Sequence, residues 1–458
     1  MTDYFHRYRN VRIDAVHYCE REAELALKRR RPSFIGRNGD YKDPPQKRLQ
    51  LFSRTVRENG FLASRVQYLK IPYMTREGCM PDLARTVSVL RNLRYVDLPD
   101  GVYSDDPSSN TLKQEVQQCA DIRQMKYMSG AEGSFQKLGQ WRQWRHLETL
   151  ELLHLAIEPT TLIEVTISLA SLREVRLVDL QLLDDSTFMP DPVIGSFPPI
   201  SKLTLQDIPN ISAHGLVTWL SQPEARDTLH SIALTNTGVS PSDIHQVLAA
   251  APRLTMLQIA ESVSRALPSS LISPLASRSL RTFYYEISNA ISSPPGLPTP
   301  ADSYYAYLST SILSGSLPSL SNLYALSPSL PTLLLAPPRL DFMAHTASRT
   351  GAIPSTLLLN SFPPLTLYTK SISELEWDLT IVTPPNANDR RGSVTPVGPE
   401  SLYRESSSSP QWRKQGRESV MVGNGFGGFL AVPSHSEDFR PGSPRGRKKK
   451  RDLDSWMG

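Results

Sequence analysis

An apolar triplet spaced L-x-x-L-x-L recurs ten times between positions 66 and 325. It is filled in turn by Val66-Leu69-Ile71, Leu93-Val96-Leu98, Ile122-Met125-Tyr127, Leu147-Leu150-Leu152 and Leu172-Val175-Leu177. The series continues through Ile200-Leu203-Leu205, Leu229-Ile232-Leu234, Leu254-Leu257-Ile259, Leu280-Phe283-Tyr285 and Leu320-Leu323-Ala325. Successive first positions are 27, 29, 25, 25, 28, 29, 25, 26 and 40 residues apart. One such triplet arises readily by chance, but a near-constant interval does not. A chain organised on this interval is confined to arrays in which each unit stacks on the next.

Within x-L-x-L-x, alternate side chains leave opposite faces of a strand, so the leucines form a core and the x residues a surface. Amphipathic stretches at 82–93, 160–172 and 240–251 separate the strands, and the last, SPSDIHQVLAAAP, opens with a helix-start signal and closes on proline. Each unit reads as strand, turn, helix, turn at an interval in or near that of leucine-rich repeats. The expected fold is therefore an α/β leucine-rich-repeat solenoid, curved, with parallel strands on the concave face, helices outside, and about ten or eleven degenerate repeats over 63–384. One unit alone buries too little apolar surface to offset its backbone entropy, so stacking is obligatory.

The position where such repeats often carry Asn or Cys holds Gly101, Leu155, Leu180, Ile208, Thr237 and Ser262, so an asparagine ladder is absent. The long last interval contains SSPPGLPTPAD, a Pro-rich insertion at 290–302, followed by a helix over 301–313. After Leu330 the period fades into LLLAPP, STLLLNSFPPL and ELEWDLTIV, which read as irregular last repeats or a C-terminal cap.

Charge divides the chain into three regions. The net charge of +5 comes from 50 Lys+Arg and 45 Asp+Glu. Residues 1–62 hold 14 bases and 8 acids, residues 63–384 hold 23 and 29, and residues 385–458 hold 13 and 8. The first region reads as a basic N-terminal helical cap or linker, and the last as a disordered basic Ser/Pro/Gly-rich tail with one apolar island, VMVGNGFGGFLAVP, at 420–433. An acidic body between basic ends argues against one uniformly basic nucleic-acid-binding surface, and leaves polyanion binding to the ends rather than the body. Cys19, Cys79 and Cys119 are 60 and 40 residues apart, which fits reduced thiols better than a disulfide framework or zinc knuckle. The N-terminus lacks an apolar leader core, and no run approaches a membrane span. An intracellular placement, nuclear and/or cytoplasmic, is expected, with no membrane contact.

No catalytic set emerges. His154, His214, His230 and His245 fall in different repeats without a metal-ligand spacing. GNGFGGF lacks the Lys-Ser/Thr of a phosphate loop, and Asp105-Asp106 and Asp184-Asp185 read as loop caps. The chain is expected to be no enzyme and to use neither metal nor cofactor. Binding is expected on the concave face through Tyr95, Asp97, Lys126, Glu151, Glu174, Arg176, Lys202, Gln206, Tyr284, Glu286 and Tyr324. Aromatic and arginine positions head that set, because interface energy concentrates in such residues. In the tail, Arg447, Lys448, Lys449, Lys450 and Arg451 resemble a nuclear-import signal, and Ser393, Thr395, Ser409 and Ser443 read as phosphorylation sites.

The segment 47–71, KRLQLFSRTVRENGFLASRVQYLKI, resembles the stretch after the F-box in fungal F-box/leucine-rich-repeat proteins. There a helix of the kind LxLFxRTxxENxxLAS leads into the first repeat strand, which makes 1–62 a post-F-box linker. SELEWDLTIVTPP and VGNGFGGFLAVP are similar to the C-terminal parts of such proteins. The resemblance implies the receptor subunit of an SCF-type (Skp-cullin-F-box) ubiquitin ligase, holding a target protein on the repeats for ubiquitin-dependent degradation. Residues 1–46 contain no Leu-Pro-x-Glu-type F-box opening, as in a truncated chain or one that has lost the module. A Skp-type adaptor and cullin are thus expected as partners only if an F-box lies upstream. The alternative is a leucine-rich-repeat scaffold or adaptor, placed in the nucleus by its tail, without any ligase role.

Overall fold

The computed structural model describes residues 9–13, 44–71, 80–98, 104–141, 144–268, 272–290, 299–335, 364–372, 374–382 and 394–396. They belong to one compact unit, Met1–Pro410; a second, Gln411–Gly458, lies outside the described residues. The strands are β1 (Asn10–Arg12), β2 (Tyr68–Lys70), β3 (Tyr95–Asp97), β4 (Gln124–Met128), β5 (Thr149–Leu153), β6 (Glu174–Val178) and β7 (Lys202–Ile208). They continue with β8 (Ser231–Thr237), β9 (Met256–Val263), β10 (Thr282–Asn289), β11 (Asn322–Ala325), β12 (Leu365–Thr369), β13 (Asp378–Val382) and β14 (Val394–Pro396). All 14 form one sheet in strict sequence order. Pairing is parallel from β1 to β12 and antiparallel at β12–β13 and β13–β14.

Each of the ten triplets builds one strand, β2 to β11, and the triplets set the register. Leu150, Val175, Leu203, Ile232, Leu257, Phe283, Leu323 and Leu367 are successive partners across β5 to β12. All eight are fully buried, while their strand neighbours on the other face are mostly half-exposed. Parallel strands need a crossover between them, and α-helices supply most of these on the buried side. β6–β7 is crossed through a 3-10 turn at Asp185–Phe188 and β9–β10 with no helix among the described residues, so those two units depart from the expected strand–helix pattern. The helices are α1 (Pro44–Glu58), α2 (Gly60–Arg65), α3 (Met80–Val87), α4 (Asn110–Gln117), α5 (Glu132–Trp141), α6 (Pro159–Ser168), α7 (Ala213–Leu220), α8 (Pro223–Thr228), α9 (Ile244–Ala250), α10 (Pro300–Leu313) and α11 (Leu330–Leu335). Leu83, Phe135, Leu162, Trp219, Val247 and Leu308 from these helices join the strand leucines in one continuous core.

The acidic loop pairs do cap helices and turns. Asp105 accepts from the Gly133 and Ser134 amides at 2.7 and 3.0 Å, at the start of α5. Asp185 accepts from the Ser212 amide and hydroxyl at 2.7 and 2.6 Å, just before α7. In the helix that follows the Pro-rich insertion, Asp302 accepts from the Thr299 amide at 2.7 Å and closes the first turn of α10.

Three further features differ from expectation. β1 falls within the region read as a helical cap and extends the parallel sheet by one strand. β14, which contains Thr395, falls within the region read as a disordered tail. Third, the residues in the Asn or Cys position, Leu155, Leu180 and Ile208, are buried core, and the polar work moves one residue earlier. His154, Asp179, Asp207 and Asn236 hold left-handed backbone, φ 54°, 52°, 54° and 47°. Asn, Asp and His tolerate that conformation better than other side chains. The His154 and Asp179 amides donate to the Val178 and Gln206 carbonyls of the next repeat, both at 2.9 Å. His154 Nδ1 meets Asp179 Oδ2 at 2.7 Å, and Asn236 Nδ2 donates to Asp207 Oδ1 at 2.9 Å. A mixed polar ladder thus stands where an asparagine ladder is missing.

Candidate functional site

The face of the sheet away from the helices gathers the outward strand positions into rows, because parallel in-register strands put equivalent residues side by side. One row reads Tyr68, Tyr95, Gln124, Thr149, Glu174, Lys202. The next, two residues on, reads Glu151, Arg176, Thr204, Ala233, Gln258, Tyr284, Tyr324, Tyr368. The expected binding residues therefore do share one surface.

The N-terminal part of that surface is polar and internally paired. Lys70 meets Asp97 at 2.5 Å, Lys202 meets Glu174 at 2.5 Å, and Gln124 Nε2 donates to Glu151 at 3.0 Å. Tyr95 leans on Tyr68, ring centroids 6.1 Å apart. Gln206 donates to Asp207 at 3.1 Å. Lys126 lies beside Glu151 in the register. Arg176 is half-buried, and its Nε is enclosed without a hydrogen-bond partner. Half-exposed ion pairs of this kind contribute little to stability and leave groups that a partner can recruit.

The C-terminal part is aromatic. Tyr284 and Tyr324 stack at 4.2 Å with 10° between planes, and Tyr324 and Tyr368 at 4.3 Å with 4°. Trp377 stands edge-on to Tyr324 at 5.5 Å and 88°. The Lys370 ammonium lies 4.6 Å from the Trp377 ring centre. All four rings are half-buried, and burial pushes the Tyr284 and Tyr324 hydroxyls up from their ordinary pKa. Ile372 and Leu375, 67% and 85% exposed, project from the turn before Trp377, which the Ser371 amide closes onto Glu374 at 2.7 Å.

Glu286 departs from expectation. Alternation places it outward beside Tyr284, yet it is 9% exposed and its Oε1 has no hydrogen-bond partner. Burial pushes its carboxyl up, with the Lys370 charge acting in the opposite sense. An expected surface residue is thus enclosed.

Tyr368, Lys370 and Trp377 were not among the sequence-derived candidates. LTLYT at 365–369 carries the strand alternation, but the triplet period has already faded there, so nothing fixed its register. Arg447, Lys448, Lys449, Lys450, Arg451, Ser393, Ser409 and Ser443 lie outside the described residues. Among the described residues no group of three or more His, Cys, Asp or Glu is placed to hold a metal ion, and no helix is long and apolar enough to cross a membrane.

Fold and site together define a repeat protein of stacked strand–helix units with one open sheet face, polar at its N-terminal part and aromatic at its C-terminal part. No family model and no curated protein matches the chain. Among solved structures, a chain of the yeast Rad7 and Elc1 complex is similar at TM-score 0.39 and 13% identity, over 61% of this chain and 67% of that one.

Proposed function

We propose that the chain is a non-enzymatic leucine-rich-repeat protein that recognises another protein on its open sheet face. The observation that carries this reading is the Tyr284–Tyr324–Tyr368 stack, half-exposed and flanked by the exposed Ile372 and Leu375. Rigid aromatic side chains offer large contact area at small entropic cost, and they dominate protein interfaces.

Within this reading the chain is the receptor subunit of an SCF-type ubiquitin ligase, presenting the bound protein for degradation. The segment 47–71 supports it, since α1 and α2 lead directly into the first repeat strand as the post-F-box resemblance requires. The alternative is a leucine-rich-repeat scaffold or adaptor without a ligase role. Affinity purification of the full chain and of its Tyr324→Ala variant, read by quantitative mass spectrometry, tests the binding claim. Proteins retained by the parent and lost from the variant support it, and identical profiles oppose it. A Skp-type adaptor in both profiles favours the ligase role; its absence from both favours the scaffold. The basic run 447–451 would place the protein in the nucleus, which imaging with and without that run decides.

A further inference from the structure

The residues that lead into the strands form one edge of the open face, and that edge is basic. The four positions before each of β3 to β11 hold eight arginines, no lysine and three acids. Their backbone is a continuous ladder. The Arg281 amide donates to the Thr255 carbonyl at 2.9 Å, and the Arg281 carbonyl accepts from the Ser321 and Asn322 amides at 2.9 and 3.0 Å. Ser319 Oγ donates to the Arg278 carbonyl at 2.6 Å. Arginines after a helix ordinarily complement its dipole or cap its last carbonyls. That role does not reach Arg278 and Arg281, because no helix lies between β9 and β10 among the described residues. Both are exposed, and neither side chain makes a hydrogen bond or ion pair among the described residues. Arg253, on the approach to the neighbouring strand, is braced: Nη1 donates to the Asp227 carbonyl at 3.2 Å, and Nε lies 3.6 Å from Asp227 Oδ1. The acids of the opposite edge are by contrast engaged, as Asp105 and Asp185 hold amides of the next repeat.

Arg281 immediately precedes β10, the strand that carries Tyr284 into the ring stack. A partner lying on the stack therefore meets these guanidiniums at the edge of the same surface. A guanidinium on a fixed backbone, with no acceptor of its own, takes a carboxylate through paired N–H···O bonds, which a lysine ammonium does not match. We propose that Arg278 and Arg281, with Arg253 beside them, seat an acidic segment of the partner protein whose apolar residues cover the tyrosine stack. The inference deepens the protein-recognition reading and rests on it in taking the open face as the docking surface. The face next to this edge offers rings rather than further cations, which suits a protein segment with apolar neighbours better than a phosphate backbone.

The test is selection of random peptides displayed on phage against the full chain, repeated with Arg281→Glu, Arg278→Glu, Arg265→Glu and Tyr324→Ala variants whose melts confirm folding. Arg265 is exposed just after β9, at the opposite edge, so its reversal changes the net charge equally without touching the proposed seat. Enriched peptides are expected to share acidic residues next to apolar ones. A synthetic copy is expected to bind about tenfold more weakly to Arg281→Glu or Arg278→Glu, and unchanged to Arg265→Glu. Acidic peptides weakened alike by all three reversals overturn the assignment, since bulk charge then suffices. Peptides without acidic residues that are lost with Tyr324→Ala but kept with Arg281→Glu and Arg278→Glu also overturn it and leave the protein-recognition reading standing. A fluorescent single-stranded DNA oligonucleotide that binds as tightly as the peptide, and is lost with the same two reversals, makes the occupant a nucleic acid and overturns it too. Peptides that bind all five chains alike, or no enrichment at all, overturn both.

Discussion

His154 Nδ1 lies 2.7 Å from Asp179 Oδ2, joining two residues that hold the same left-handed backbone, φ 54° and 52°, at the same step of adjacent repeats. With Asp207 and Asn236 they let each strand turn toward its loop while sending the next residue into the core. A side chain that resists left-handed backbone should therefore be costly here. Asn236→Val is expected to lower stability by about 1–2 kcal/mol, and Asn236→Gly to cost much less, in urea melts.

Asp179 also sets a pH dependence. Hydrogen bonds from Gln181 and then His154 hold its carboxyl below the usual range. A carboxylate with a depressed folded pKa adds stability above its ordinary pKa and loses it as the pH falls through the folded value. The advantage of the parent over Asp179→Asn is expected to be largest at neutral pH and to shrink below about pH 4. Midpoints of urea unfolding from pH 7 down to pH 3 read it directly.

Glu286 has the opposite sign. Its folded pKa is raised by burial, so the protonated form is favoured in the folded chain, and stability declines as the pH rises through that value. Glu286→Gln is expected to stabilise the free chain by about 1 kcal/mol at neutral pH. The gain should vanish below the ordinary carboxylate range. Parallel melts at neutral and acidic pH measure both effects, and a destabilised variant at neutral pH would contradict the unpartnered-carboxylate account.

Packing between repeats gives a further expectation. Trp219 is fully buried against Phe188 and Phe197, ring centroids 5.7 Å away from each, and its Nε1 donates to the Phe197 carbonyl at 3.1 Å. Trp219→Ala should cost about 4 kcal/mol, since it removes a large core side chain and leaves a cavity between repeats.

Gly238 is fixed for a different reason. A Cβ there would approach the Pro209 carbonyl oxygen to 2.3 Å and that of Ile211 to 2.8 Å. Both obstacles are backbone and neither can rotate away. Gly238→Ala is expected to destabilise by about 2 kcal/mol in the same melts.

The strand order and register were legible because the triplet is itself the packing unit. Leu203 and Leu205 are both core and both markers of period, so reading one gives the other. β1 and β12 were not legible for the same reason: Val11 and Leu367 lie outside any evenly spaced triplet. The open face was legible as a set of alternating positions, but alternation reports only direction. It says nothing of what stands next to a side chain, so Glu286 read as solvent-facing although it is enclosed beside Tyr284. The polar ladder was missed because it depends on backbone torsion, and His154, Asp179, Asp207 and Asn236 share no single residue type to announce it.

The central claim, that the open face binds another protein, is tested most directly by a photocrosslinker placed by substitution at single positions of the full chain. Tyr324→p-benzoylphenylalanine sets it in the aromatic stack, and Ile167→p-benzoylphenylalanine sets it on the exposed side of α6. Irradiation in cells is predicted to give a discrete heavier adduct containing a second protein from position 324 and none from position 167. Adducts from both positions alike, or from position 167 alone, would contradict the account.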